Sequence, residues 1–378
     1  MRSVPVILHL HSTFDLGGKE ARATRLMNAF GDRARHVVVS SMPGRYGARD
    51  RIDPGIDYEI AQDPPPLTGK PSVARFDAIA RFMRGFDLVL TYNWGAIDGV
   101  MARRVFRNGA PPLVHHEDGF NEDEAGGLKR ERNLYRRFAL GAAHALAVPS
   151  RKLERIALDI WKQPRVKVHR IANGIATAPY AQEPEAGAIP GLVRKPGEIV
   201  IGSVAGLRAV KDLPQLVRAA GGLSARFRLV IVGEGPERAA IEAAAMAMGI
   251  DDRVVLPGFL DRPYRYMRHF DLLALSSRSE QFPISVVEAM AAGLPVVAPP
   301  VGDVADMVAP ENAPFVMEHH GEVRLRDAMQ VLATNPDLRI AIGAANRAKA
   351  VAEYDESAMI ARYAALYENA MGRPGTLI

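Results

Sequence analysis

Short apolar runs, each followed by a turn and then a helical pattern, set the rhythm of this chain. "VPVILHLH" leads into "GGKEARATRLMNAF", and "HVVVSS", "FDLVLTYNWG", "PPLVHHEDG" and "HALAVPS" continue the series through Ser150. It resumes with "GEIVIGSVAGL", "FRLVIVGEG", "RVVLPGF", "FDLLALSS" and "LPVVAP". Continuous apolar runs bounded by turns predict strands buried on both faces, and their alternation with helices predicts parallel βαβ units. Two such series, one before residue 175 and one after 197, predict two doubly wound α/β domains. The stretch 173–198 holds four prolines and four glycines and has no helical period, so it reads as the linker region. Near the end, Met359, Ile360, Tyr363, Leu366 and Tyr367 fall at helical spacing. The expected boundaries are a first domain over 1–178, a linker over 179–196, a second domain over 197–355 and a final helix within 356–378.

Composition narrows the class. A chain of 378 residues is too long for one hydrophobic core, and 48% hydrophobic with 24% charged residues is ordinary for globular proteins. No apolar run approaches the roughly 18 residues a membrane-spanning helix needs, and the opening "VPVILHL" reads as a first strand and not as a signal peptide. Cysteine is absent, which excludes disulfide frameworks and thiolate zinc sites. Together these features suggest a cytoplasmic protein. The net charge of +5 points to nucleic acid, an anionic membrane surface or a phosphorylated ligand. With 7% aromatics and no stripe interleaving them with Lys and Arg, nucleic acid is the least favoured.

The chemistry concentrates in "SRSEQFPISVVEAMAAGLPVVA", residues 277–298. Glu280 lies in the loop after the strand "FDLLALSS", at the carboxyl end where open α/β sheets bind ligands. Pro283 suits the first turn of a helix, Gly293 closes it, and the next strand follows. Glu288 shares a helix face with Ile284 and Ser285 inside an apolar run, where a carboxylate must have a partner. The free N–H groups of the first turn favour an anion, while carboxylates accept hydrogen bonds from hydroxyls. A ligand with phosphates in the middle and a sugar at each end satisfies all three features. That describes a nucleotide-sugar.

This segment resembles the E-x7-E signature of retaining GT-B glycosyltransferases, particularly glycosyltransferase family 4. The run "EAMAAGLPVVAPPVGDVADMV" continues as in that family, with Asp306 where a glutamate is more common. The resemblance implies that Glu280 lies by the donor sugar and Glu288 holds the ribose hydroxyls, with Phe282, Ile284 and Ser285 lining the same seat. In "GSVAGLRAVKDLPQLVRA", Leu207 and Lys211 match the family's diphosphate-holding segment, but Gly206 stands where an arginine is usual. Lys211 is then the phosphate clamp and Arg208, two residues on, a substitute for the missing arginine. Gly233 and Gly235 of "VGEGPERA" read as turn residues, and Phe259 of "LPGFLDRP" falls in the segment whose backbone recognises the base.

In the first domain, Gly17 and Gly18 resemble the family's GGxE loop, where glycine lets the backbone approach a phosphate at a helix start. His115 of "PPLVHHEDGF" aligns with a histidine near donor sugar and acceptor, with His116 and Asp118 as further substrate contacts. Adjacent histidines on a strand point to opposite sides, so only one can line the cleft. For His9 and His11 a core or cleft-wall role is expected. Lys129, Arg130, Arg132, Arg136 and Arg137 crowd one helix with Leu128, Leu134, Tyr135, Phe138 and Leu140. That helix reads either as a solvated basic face or as a patch that docks on anionic membrane.

The resemblance therefore implies a GT-B fold: two Rossmann-like domains facing across a cleft, the donor held mostly by the second, the last helix crossing back to the first. The implied activity is retaining, metal-independent hexosyl transfer from a UDP-sugar, or a GDP-sugar, to a glycan or lipid-linked acceptor in cell-surface polysaccharide biosynthesis. No cofactor and no metal are expected, and a peripheral position on the inner membrane face is a further expectation. The alternatives are a nucleotide-sugar epimerase of similar fold and a non-catalytic nucleotide-sugar-binding protein. A dehydrogenase is disfavoured, because neither half carries the full glycine fingerprint with its downstream acid.

Overall fold

The computed structural model describes residues 4–120, 124, 127–224 and 226–378. Seven parallel strands form the first sheet: β1 (Val6–His11), β2 (Arg35–Ser40), β3 (Tyr58–Ile60), β4 (Leu88–Tyr92), β5 (Leu113–His116), β6 (Ala145–Val148) and β7 (Val168–Arg170). Their spatial order is β3-β2-β1-β4-β5-β6-β7. The second sheet holds β8 (Ile199–Val204), β9 (Phe227–Val232), β10 (Val254–Gly258), β11 (Leu272–Ala274) and β12 (Val296–Val297), also all parallel, in the order β10-β9-β8-β11-β12. Parallel neighbours need a crossover between them, and helices supply it. The crossover helices cover both faces, so strands such as "LVLTY" and "FRLVIV" are buried at every position. The helix Leu213–Gly221 shows the complementary pattern, turning Leu213, Leu216, Val217, Ala219 and Ala220 inward.

The chain divides into two compact units, residues 1–173 with 358–378, and residues 174–357. The last helix, Glu356–Met371, buries Met359, Tyr363, Leu366 and Tyr367 in the core of the first unit beside Ile7, Leu90 and Tyr92. The proline- and glycine-rich stretch 179–196, read from sequence as a linker, belongs to the second unit. Tyr180 and Ile189 are buried, and the Glu185 N–H donates to the Arg265 carbonyl at 2.8 Å while the two side chains pair. Proline and glycine there prevent a long helix without preventing burial.

Strand order reverses between β1 and β4 in the first sheet and between β8 and β11 in the second. The carboxyl ends of strands flanking such a reversal are where open α/β sheets bind ligands.

Candidate active site

In the second unit the loops after β8 and β11 flank the reversal and are stapled together. The Ser276 hydroxyl donates to the Lys211 carbonyl at 2.9 Å and the Arg278 N–H to the Val210 carbonyl at 2.8 Å. Arg278 Nε also reaches Asp212 Oδ2 at 2.8 Å. Lys211 Nζ meets Glu280 Oε1 at 2.5 Å, and Ser277 Oγ donates to that same oxygen at 2.7 Å. Both partners of the Lys211–Glu280 pair are mostly buried. Ser203, Lys211, Ser276, Ser277, Glu280 and Ser285 line one small cavity there together with apolar side chains.

The helix Ile284–Ala291 starts beside this cavity at Pro283, and no side chain caps it. Its uncapped first turn is electropositive. Glu288, one turn on from Ile284, is half-buried. It lies close enough to Tyr266 that its charge, after burial, helps push that phenol above its usual range. Gly293 adopts a positive φ of 79° past the helix end, as the sequence leads one to expect. Phe282 does not line that cavity and packs edge-on against Tyr354, with ring centroids 5.7 Å apart. Phe259 is exposed.

Gly233 and Gly235 both have positive φ, and a Cβ on either would collide with the Ala205 or Leu207 carbonyl. They are required for the β9 turn to press against the loop after β8. Gly206 is different. A Cβ there would meet only Arg208 Nε at 3.7 Å and the Glu234 carbonyl at 3.9 Å, ordinary contacts. A Cβ at 206 is thus not excluded by space, and the nearest side chain to it is that of Arg208.

The first unit corrects several sequence expectations. His116 is fully buried, with Nδ1 at 3.2 Å from the Thr91 carbonyl and Nε2 at 2.8 Å from the Tyr367 hydroxyl. Both ring nitrogens are occupied, so it is a core residue and not a substrate contact. Asp118 gives both carboxylate oxygens to the buried Arg22 guanidinium, Oδ2 at 2.8 Å. It too is committed to the fold.

His115 is buried with Nδ1 on Thr91 Oγ1 at 2.8 Å and Nε2 at 3.8 Å from Glu117. Glu117 in turn pairs with the buried Arg136 at 3.2 Å. His115 is therefore enclosed in the unit, with Nδ1 bonded and Nε2 buried without a hydrogen-bond partner. Gly17 caps the helix Gly18–Phe30, and neither glycine uses a positive φ. A Cβ on Gly17 would sit 2.9 Å from Glu20 Oε2, and that carboxylate already pairs with Lys19 at the helix start. Gly17 makes room for an internal carboxylate, whereas a Cβ on Gly18 would meet open space.

His9 and His11 share a side of β1 and stack with Tyr92, His11 at 4.1 Å between ring centroids. His9 Nε2 lies 3.0 Å from His36 Nδ1. Burial holds His9, His11 and His116 well below the usual imidazole range and brings His36 down to about 4. Sequence reasoning missed the partners of this ladder, which come from β2, β4 and the last helix.

The basic helix also divides differently from its pattern. Arg136 is fully buried and bonded to Glu117 and Glu124, and Arg132 reaches Glu124 at 3.0 Å. Leu134 and Phe138 face solvent at 69% and 54% exposure, flanked by the exposed Arg130 and Arg137. Leu128 lies one residue before the helix's N-cap. No helix among the described residues is long and apolar enough to cross a membrane.

A family model described as glycosyl transferases group 1 matches residues 189–349, and one described as a glycosyl transferase 4-like domain matches 17–174. The chain belongs to the GT-B glycosyltransferases. A Bacillus subtilis (strain 168) protein named as a glycosyltransferase, EpsF, is 27% identical over 315 residues, covering 77% of this chain and 78% of that one. The D-inositol 3-phosphate glycosyltransferase of Nocardia farcinica (strain IFM 10152) is 28% identical over 281 residues, covering 68% and 61%. Among solved structures, HepE of Anabaena in complex with UDP superposes with a TM-score of 0.78 at 20% identity, covering 96% of this chain and 99% of that one. Its complex with UDP-glucose gives 0.76 at 20% identity, covering 97% and 100%. At that identity the likeness is one of fold, and the fold of this glycosyltransferase is GT-B.

Proposed function

We propose that this glycosyltransferase moves a hexose-type sugar from a UDP-sugar, or less favourably a GDP-sugar, to a glycan or lipid-linked acceptor, with retention of anomeric configuration and without a catalytic metal. The observation that carries the reading is the meeting of Lys211 and Glu280 across the β8–β11 reversal, beside an uncapped helix that carries Glu288. In the proposed roles, Lys211 and the helix N-terminus stabilise the leaving diphosphate electrostatically, with Arg208 as the second cation. Glu280 accepts from the donor sugar and Glu288 from the ribose hydroxyls, with Ser285 at the start of the helix close to the phosphates. Ile284 and Phe259 bound the nucleotide. Two supports come from relatives: HepE was solved with UDP and with UDP-glucose, and EpsF is named as a glycosyltransferase. Cell-surface polysaccharide synthesis, a cytoplasmic location and contact with an anionic membrane through the Leu134–Phe138 face belong to the same proposal.

Calorimetry with UDP tests it. A charge-assisted hydrogen bond contributes about 1.5–3 kcal/mol, so Glu288→Ala should weaken UDP binding roughly ten- to a hundredfold. Unchanged affinity in a folded variant would remove the ribose assignment. Product analysis with an added acceptor separates transfer from epimerisation, and the anomeric configuration of the product reads retention directly.

A further inference from the structure

We infer that Glu280 is an internal competitor for the phosphate seat, held on Lys211 until a diphosphate displaces it. The inference rests on the reading of Lys211 as the diphosphate clamp. A lysine ammonium has three donors and no acceptor, and here its charge is already met by Glu280 Oε1 at 2.5 Å. The same oxygen accepts from Ser277 at 2.7 Å, so the carboxylate is fixed in that position from two sides. A diphosphate arriving at Lys211 therefore meets a carboxylate in contact with the group it needs. Like charges cannot share a mostly buried site without a large cost, so one anion replaces the other.

The geometry makes this a side-chain exchange. The Lys211 backbone is pinned by Ser276 on its carbonyl, and the Arg278 N–H on the Val210 carbonyl and Arg278–Asp212 pair lock the two loops together. What can change is the contact between the two side chains. Once Lys211 turns to phosphate, Glu280 regains a free acceptor oxygen beside Ser277, available to a sugar hydroxyl. The glutamate assigned to the sugar is thus released by the phosphates that carry the sugar in. Free sugar, lacking phosphate, finds Oε1 occupied.

Calorimetry with inorganic pyrophosphate, UDP and UDP-glucose on four full-length proteins tests the exchange: wild type, Glu280→Gln, Lys211→Met and the double variant. Removing the competitor should tighten pyrophosphate and UDP binding about tenfold, a gain in affinity from deleting a residue of the site. UDP-glucose should gain less than UDP, because the released carboxylate no longer meets the sugar. Lys211→Met should weaken pyrophosphate and UDP, and adding Glu280→Gln to it should bring no tightening.

Equal or weaker pyrophosphate binding by Glu280→Gln, alongside a loss in Lys211→Met, overturns the exchange while leaving the clamp in place. Tightening that persists in the double variant also overturns it, since it would show general repulsion and not competition for Lys211. If Lys211→Met binds UDP as the wild type does, the clamp reading itself fails. Glu280→Ala serves as a second variant, with circular dichroism confirming that each protein is folded.

Discussion

The two units share a parallel, doubly wound scheme but bury different chemistry. In the first, His9, His11, His36, His115 and His116 are all at 2% exposure or less, and Arg22 and Arg136 lie among them. In the second, the main core is aliphatic. Its central buried polar pair is Asn312 and Asn346, neutral amides that satisfy the Val296, Leu294 and Ala309 backbone groups at 2.8–2.9 Å. In the second unit Arg228 and Glu198 form a buried pair, while Lys211 and Glu280 in the loops after β8 and β11, and Glu288 within the helix Ile284–Ala291, keep part of their surface exposed. Abundant histidine in the first unit is therefore a feature of its interior, and the sparser polar residues of the second carry the candidate chemistry.

The sharpest way to break this contrast is to uncouple a buried charge. Arg136→Ala would leave Glu117 and Glu124 without their main cation, and such a loss costs about 3–5 kcal/mol. Both tryptophans, Trp94 and Trp161, lie in the first unit, with the Arg136 guanidinium over each ring at 4.9 and 5.2 Å. Tryptophan fluorescence therefore reports first-unit unfolding, while far-ultraviolet circular dichroism reports both units. The fluorescence transition should fall sharply, with a dichroism component from the second unit left in place. A single transition that falls by the same amount in both signals would mean the units do not unfold separately.

Acid should act in the same direction with a smaller effect. The folded pKa of His36, about 4, lies below the ordinary imidazole value near 6.5, so between these two the unfolded chain binds a proton that the folded chain refuses. This part of the stability is intact above pH 6.5 and is lost as pH falls toward 4, amounting to about 3 kcal/mol at the lower end. His9, His11 and His116 are depressed in the same sense. Urea titrations between pH 7.5 and 5 should show the fluorescence midpoint moving down while the second unit's dichroism midpoint holds. A first unit equally stable at both pH values would contradict the neutral, buried state of these rings.

The sequence made some of this legible and hid the rest for a physical reason. Strand runs, the helix after Pro283, its closing glycine and the Glu280–Glu288 spacing are local signals, and they locate the β8–β11 site. The histidines are not decided locally. His9 takes its partners from His36 and Tyr92, 27 and 83 positions away, and His116 from Tyr367, 251 positions away. No window of the chain contains those pairings.

The basic helix was misleading for a related reason. Its apolar residues suggest which face is buried, yet Glu117 and Glu124 draw Arg136 inward and leave Leu134 and Phe138 outside. Ser277 is not recognisable from sequence as a partner of Glu280, because a serine between a strand and a turn has no distinctive pattern.

Ligand binding should sharpen the contrast from the other side. UDP at a hundred times its dissociation constant adds about 2.7 kcal/mol to whatever binds it. If the nucleotide is held by the second unit, the dichroism component of that unit should move up and the fluorescence midpoint should stay. A rise seen only in fluorescence would move the nucleotide to the first unit.

The smallest effect on stability, and a separate test of the first unit, concerns its exposed face. Serine at Leu134 and Phe138 should change stability by no more than about 0.5 kcal/mol, as expected for exposed positions, because 69% and 54% of these residues is already in water. Arg104 lies over the Phe138 ring at 3.8 Å, so the ring sits among cations. On an anionic surface each arginine is worth about 1 kcal/mol, and Arg130, Arg137 and Arg104 surround two side chains that can enter the headgroup layer. Cosedimentation with anionic vesicles should be appreciable at low salt and fall as salt shortens the screening length to about 10 Å at 0.1 M. Glutamine at Arg130 and Arg137 should reduce it, serine at Leu134 and Phe138 should reduce it further at high salt, and UDP affinity should be the same in every variant. Wild-type protein that ignores such vesicles at low salt would leave this face a solvated one and make a soluble glycan the better acceptor to screen.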